Sequence, residues 1–170
     1  MIQSVPFGAS DYDIMLGVLV FGRGMDILST WVATPTLMLE ANPIARRLGW
    51  KWGLVMNLVL CGSVAFFPLA AVVVVTTSLL VAARNFKTAW LMRAMGEERY
   101  LTFMLNQVRG MDRRLYLFCL FAEAALVAAV GFAVAWYSRI PSIRLGIGAG
   151  IVAYAVAVVF YSCLSLWRSR

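Results

Sequence analysis

Two opposite charges, Arg23 and Asp26, stand three residues apart inside a long apolar run. At that spacing two side chains share one helical face. A charge in the middle of a membrane-spanning helix costs about 2.5 to 3.5 kcal/mol, so both should turn inward and meet one another. Thr30 and Thr34 continue the same stripe. A polar face within a span lines a solute path or binding site, or else hydrogen-bonds one helix to another. The chemistry this offers is recognition of a polar or charged solute.

Two further groups could join it. Glu123 is the acid of a later apolar run. If it approached Asp26 around Arg23, the shared positive charge would keep both acids ionised, and without Arg23 at least one would hold a proton, which suits proton or cation coupling. The alternative is that Glu123 reaches to the cytoplasmic rim, toward Arg113, Arg114 or Tyr116. Glu40-Ala41-Asn42-Pro43 places a carboxylate and an amide beside a proline-turned backbone, with Asn57 expected at similar depth. Those oxygens suit a hard cation, although the favoured reading of the same residues is a helix closed by an Asn-Pro turn.

Bond-breaking chemistry is harder to find. The sequence has no Gly-x-Ser-x-Gly elbow, phosphate-binding loop, dinucleotide fingerprint or His-Glu-x-x-His. Glu97-Glu98 resembles the paired acids of glutamate-dependent intramembrane proteases, yet the chain contains no histidine to pair with them. Cys61, Cys119 and Cys163 are isolated in apolar runs, so neither a disulfide framework nor a zinc site is expected. We expect no metal and no cofactor. Gly146-x-Gly148-x-Gly150 lies in an apolar segment, where small residues permit close helix packing rather than phosphate contact.

The elements that must position these residues follow from hydropathy. Of 170 residues, 62% are hydrophobic and 14% charged, with mean hydropathy +0.83, far from the roughly 25% charge of soluble domains. Apolar runs of twenty or more match a hydrocarbon layer about 30 Å thick. The sequence predicts an all-α integral membrane bundle of about four transmembrane helices, near residues 13–39, 52–83, 115–137 and 143–167. Pro68 should kink the second, since half-helices of about 15 residues would be too short to cross alone. The N-terminus lacks the positive region of a secretory signal, so the first span is expected to persist.

Residues 84–114 interrupt the pattern with seven of the fifteen basic residues: Arg84, Lys87, Arg93, Arg99, Arg109, Arg113 and Arg114. Phe86 with Trp90, then Leu101, Met104, Leu105 and Val108, recur at helical spacing. The segment reads either as amphipathic helices on the membrane surface, facing anionic lipid headgroups, or as a cytosolic extension of the second span.

Asp26-x-x-Ser29-Thr30 followed by Glu40-x-Asn42-Pro43 resembles small bacterial multi-pass membrane proteins grouped as a family of unknown function. The resemblance covers about the first two spans. It implies a bacterial membrane protein and brings no activity with it.

The net charge of +7 does not point to nucleic acid, because the basic residues lie between spans rather than along one soluble face. With four spans, the middle segment plus Arg168 and Arg170 outweigh Arg46, Arg47, Lys51, Arg139 and Arg144, which puts both termini in the cytoplasm of an inner membrane. Function reads first as small-solute or ion transport or binding through Arg23, Asp26, Thr30 and Glu123. A non-catalytic membrane subunit or scaffold comes second, and an intramembrane enzyme third. Four helices leave little room for an aqueous path, so transport favours a homo-oligomer.

Overall fold

The computed structural model describes residues 4–136 and 141–168. Among them are six helices and no strand: α1 (Ser10–Ala33), α2 (Pro43–Val64), α3 (Pro68–Met95), α4 (Glu97–Gly110), α5 (Arg113–Trp136) and α6 (Pro141–Arg168). The expected all-α bundle forms. Four helices, α1, α3, α5 and α6, are long and apolar enough to cross a membrane.

The helix boundaries have local causes. Pro43 and Pro68 occupy the first turns of α2 and α3, where an N–H would have no intrahelical acceptor. Asn42 caps α2, its Oδ1 accepting from the Ile44 N–H at 3.0 Å. Asn42-Pro43 therefore opens the second helix rather than closing the first. The first span, expected to reach residue 39, ends as a helix at Ala33. A loop from Thr34 to Ala41 follows it.

The single kinked span over residues 52–83 does not form. The chain reverses at Ala65–Phe67 and yields two helices. α2 begins back at Pro43, its helical path broken at Gly49, and α3 continues to Met95. The 28 residues of α3 reach about 42 Å at 1.5 Å per residue, so the length argument fails for this helix. Arg46, Arg47 and Lys51 in the first half of α2 lower its hydropathy and hide its start.

Residues 84–95 of the basic segment are the continuation of α3, as the alternative of an extended second span expects. Only α4 is a separate helix, with Tyr100 buried and Leu101, Phe103 and Met104 exposed. The positions of Arg139 and Arg170 lie outside the described residues, as does the side chain of Arg109.

Cross-helix partners give the directions. The Tyr12 hydroxyl donates to Gly62 O, and Trp50 Nε1 donates to Pro35 O, so α1 and α2 are antiparallel. Arg23 meets Ser78, and Arg93 Nε donates to Val32 O, so α1 and α3 are parallel. Gly146 lies against Val72 and Gly150 against Thr76, while Gly131 lies against Val152 and Ala135 against Gly148. Hence α6 parallels α3 and α5 opposes α6. Five helices thus run lengthwise, α2 carrying the chain back between the parallel α1 and α3. Ser4 and Arg168 stand at opposite ends of the bundle.

Small residues set the closest contacts. A Cβ on Gly131 would stand 2.8 Å from Gly148 O, and one on Gly150 would stand 2.7 Å from Thr76 Cβ. The Gly146-x-Gly148-x-Gly150 run packs as expected, with Gly146 and Gly150 on α3 and Gly148 on α5.

Candidate functional site

Arg23 ties three helices together. α1 and α3 approach closely at Gly22, where a Cβ would come within 3.2 Å of Val75 Cγ1, and the next residue can reach both neighbours. Its Nε donates to Asn57 Oδ1 on α2 at 2.7 Å. Its Nη1 donates to Asp26 Oδ2 at 2.8 Å and to Ser78 Oγ on α3 at 3.1 Å. The expected Arg23–Asp26 pair is therefore present, with side chains 26% and 17% exposed. Hydrogen bonds to an ionised partner are roughly twice as strong as neutral ones.

One turn further along α1, Ser29 Oγ donates to Asp26 O at 2.8 Å. Asn85 Nδ2 on α3 donates to both Ser29 Oγ and Thr30 Oγ1, at 3.2 and 3.3 Å. The stripe ends at Thr34, whose hydroxyl donates to Glu97 at 2.8 Å.

A cavity of about 630 Å³ opens along this stripe, walled by α1, α2, α3, α6 and the α1–α2 loop. It unites the two clusters expected separately: Arg23, Asp26 and Thr30 line it together with Glu40, Asn42 and Asn57. Glu40 Oε1 accepts the Asn42 N–H at 2.8 Å. Of the seven basic residues of the 84–114 segment, Arg84 alone is in the lining. Glu123 is not there: it is exposed on α5 and makes no ion pair among the described residues. The third-span residue that does reach the cavity is Tyr116. Glu123 faces away because Leu120 and Ala124, its neighbours on the helical wheel, are the buried positions of α5.

Family models, curated proteins and solved structures yield no match to this chain. The chemistry of the site therefore rests on its own residues. Its lining combines charges, amides and hydroxyls with apolar side chains. Among the described residues no three His, Cys, Asp or Glu side chains gather as metal ligands would. The arrangement suits reversible binding of a polar group.

Glu97 was not foreseen. Its carboxylate accepts from the hydroxyls of Thr34 and Thr36 and from the Thr36 N–H at 3.2 Å, holding the α1–α2 loop against the start of α4. Burial pushes this carboxyl up, but hydrogen bonds from Thr36, Thr34 and the Met38 N–H outweigh it and hold the group below its ordinary value. The loop it grips supplies Leu37, Leu39, Glu40 and Ala41 to the cavity. Leu37 takes a left-handed φ of 60° and is nonetheless buried. That conformation costs about 1 to 2 kcal/mol, and the burial of an apolar side chain offsets it.

Proposed function

We propose that this chain is a multi-pass membrane protein that binds a small polar solute or ion in an intramembrane cavity, in the manner of a transport protein. The observation that carries this is the meeting of Arg23, Asp26 and Asn57 with Glu40 and Asn42 on the walls of one cavity. Charges at membrane depth that line a cavity mark binding sites by default. Its volume falls in the range of ligand pockets, roughly 300 to 1,000 Å³.

Orientation follows the same reading. Once α2 is a crossing, Arg46, Arg47 and Lys51 join Lys87, Arg93, Arg99, Arg113 and Arg114 at one end of the bundle, while Arg144 is the one Lys or Arg at the other end among the described residues. This supports a cytoplasmic α4 end and C-terminus and an external N-terminus. The basic end would meet anionic headgroups of an inner membrane.

The test is water access. In a variant whose three cysteines are replaced by alanine, Thr30→Cys should react with a charged, membrane-impermeant thiol reagent from the cytoplasmic side of membrane vesicles, and Asp26→Asn should abolish solute binding while folded protein remains in the membrane. An inert Thr30→Cys would sink the reading. A second reading, a non-catalytic subunit, is supported by Arg23 binding α1, α2 and α3 together. On that reading Asp26→Asn would change assembly or abundance instead.

A further inference from the structure

Four charged residues line the cavity: Arg23, Asp26, Glu40 and Arg84. Arg23 and Asp26 neutralise one another, and theirs is the one ion pair among the described residues. That leaves one acid and one base without a counter-ion on different walls. Glu40 stands on the α1–α2 loop, and Arg84 stands exposed on α3, its side chain making no hydrogen bond or ion pair to any described residue. A ligand that answers both must itself carry a cation and an anion. An ammonium group can donate to the Glu40 carboxylate, and a phosphate can accept the forked guanidinium of Arg84.

The rest of the lining says how large that ligand is. Tyr154 and Tyr161 on α6 and Tyr116 on α5 bring hydroxyls to the Arg84 side, while Leu54 and Val158 bring apolar surface. α2 packs on α1 and α3, and α6 packs on α3 and α5. The two helices therefore flank the cavity without forming a packed pair, and lipid chains can lie between them. The α1–α2 loop that carries Glu40 stands at the basic end of the bundle, so the cavity reaches from there toward Arg23.

Building on the proposed cavity function, we propose that its ligand is a phosphate-bearing zwitterion with a primary ammonium, the chemistry of an ethanolamine phospholipid headgroup. Phosphate engages Arg84, ammonium engages Glu40, and the acyl chains leave between α2 and α6.

The full-length protein, purified in detergent, is titrated with phosphatidylethanolamine, phosphatidylcholine and phosphatidylglycerol and read by native mass spectrometry. Phosphatidylethanolamine is expected to bind most tightly, because the quaternary head of choline cannot donate to Glu40 and glycerol carries no cation. Arg84→Gln and Glu40→Gln should each weaken it about tenfold, the loss of one charge-assisted hydrogen bond. Arg84→Lys should restore part of the affinity, and Arg47→Gln, outside the cavity, should change nothing. Competition by soluble O-phosphoethanolamine would assign the site to the free zwitterion, whereas binding of the lipid without competition would assign it to the headgroup in the bilayer. Equal binding of the three lipids, or no effect of Arg84→Gln, would overturn the proposal. If that result came with a reactive Thr30→Cys, the cavity function would stand and the zwitterion alone would fall.

Discussion

The carboxylate of Glu97 receives the hydroxyl of Thr34, a residue 63 positions earlier in the chain, and so fastens the loop after α1 to the first turn of α4. A carboxyl held below its ordinary value near 4.5 lends stability that is present above that value and is lost as pH falls through the lower, folded one. A nitroxide attached at Met38→Cys should therefore be immobile at neutral pH and loosen as pH falls below the ordinary value of a glutamate carboxyl. Glu97→Gln should loosen it at neutral pH and remove the acid response. A label equally mobile in both proteins at neutral pH would show that Glu97 is not the fastening.

The Arg23–Asp26 pair can be dissected by melting. Arg23→Leu strands the Asp26 carboxylate and takes a donor from Asn57 and Ser78, whereas Asp26→Asn leaves Arg23 two of its partners. We expect Arg23→Leu to lose about 1 to 3 kcal/mol, more than Asp26→Asn, and the double variant to recover part of the loss. The measurement is thermal unfolding in detergent, and strictly additive losses would contradict a coupled pair.

Glycine substitutions separate contact from composition. Gly148→Ala would put a Cβ 2.5 Å from Gly131 O, while Gly17→Ala on α1 meets nothing within 4 Å. The first should lower stability by about 1 to 3 kcal/mol. The second, which replaces glycine inside a helix, should be neutral or stabilising by up to about 1 kcal/mol.

The proposed fifth crossing, by α2, is open to direct labelling. Phe7 is 79% and Trp167 70% exposed, at opposite ends of the bundle. In intact cells carrying the cysteine-free variant, Phe7→Cys should react with an impermeant maleimide, and Trp167→Cys should react only after permeabilisation. Reaction of both from one side would mean that α2 does not cross.

Glu123 is exposed on α5 roughly 15 Å along the helix from Arg113, on a face that a second copy would cover in the expected homo-oligomer. Cys119 is exposed one turn earlier. Mild oxidation of membranes should give a dimer that Cys119→Ala abolishes. If α5 faces lipid alone, only monomer will appear.

What could be read in advance had a local origin. Arg23 and Asp26 announce one another because their spacing is that of one helical turn, and the Gly146 to Gly150 run announces close packing because small residues have few other uses within a span. Ser78, Asn85 and Glu97 could not be assigned partners, since each partner comes from another helix more than fifty residues away. Pro68 marked a break correctly, but a break cannot say whether the chain bends or reverses. The parallel packing of α1 on α3 shows that it reverses, which brings Arg46, Arg47 and Lys51 to the same end of the bundle as Arg93. Glu123 was placed beside Asp26 by charge alone, while the pattern of buried positions on α5 turned it outward.

Gly49, with its φ of 65°, breaks the helical path of α2. Beyond it the straight part runs from Trp50 to Val64, roughly 15 residues or about 22 Å, beside an α3 of 28 residues. Such a length falls short of an average hydrocarbon core of about 30 Å, and a bilayer meets a short helix by pinching. In the proposed five-crossing arrangement, lipids alongside α2 would be drawn inward where those alongside α3 would not, so the protein would deform the membrane asymmetrically and settle most comfortably where the membrane is already thin.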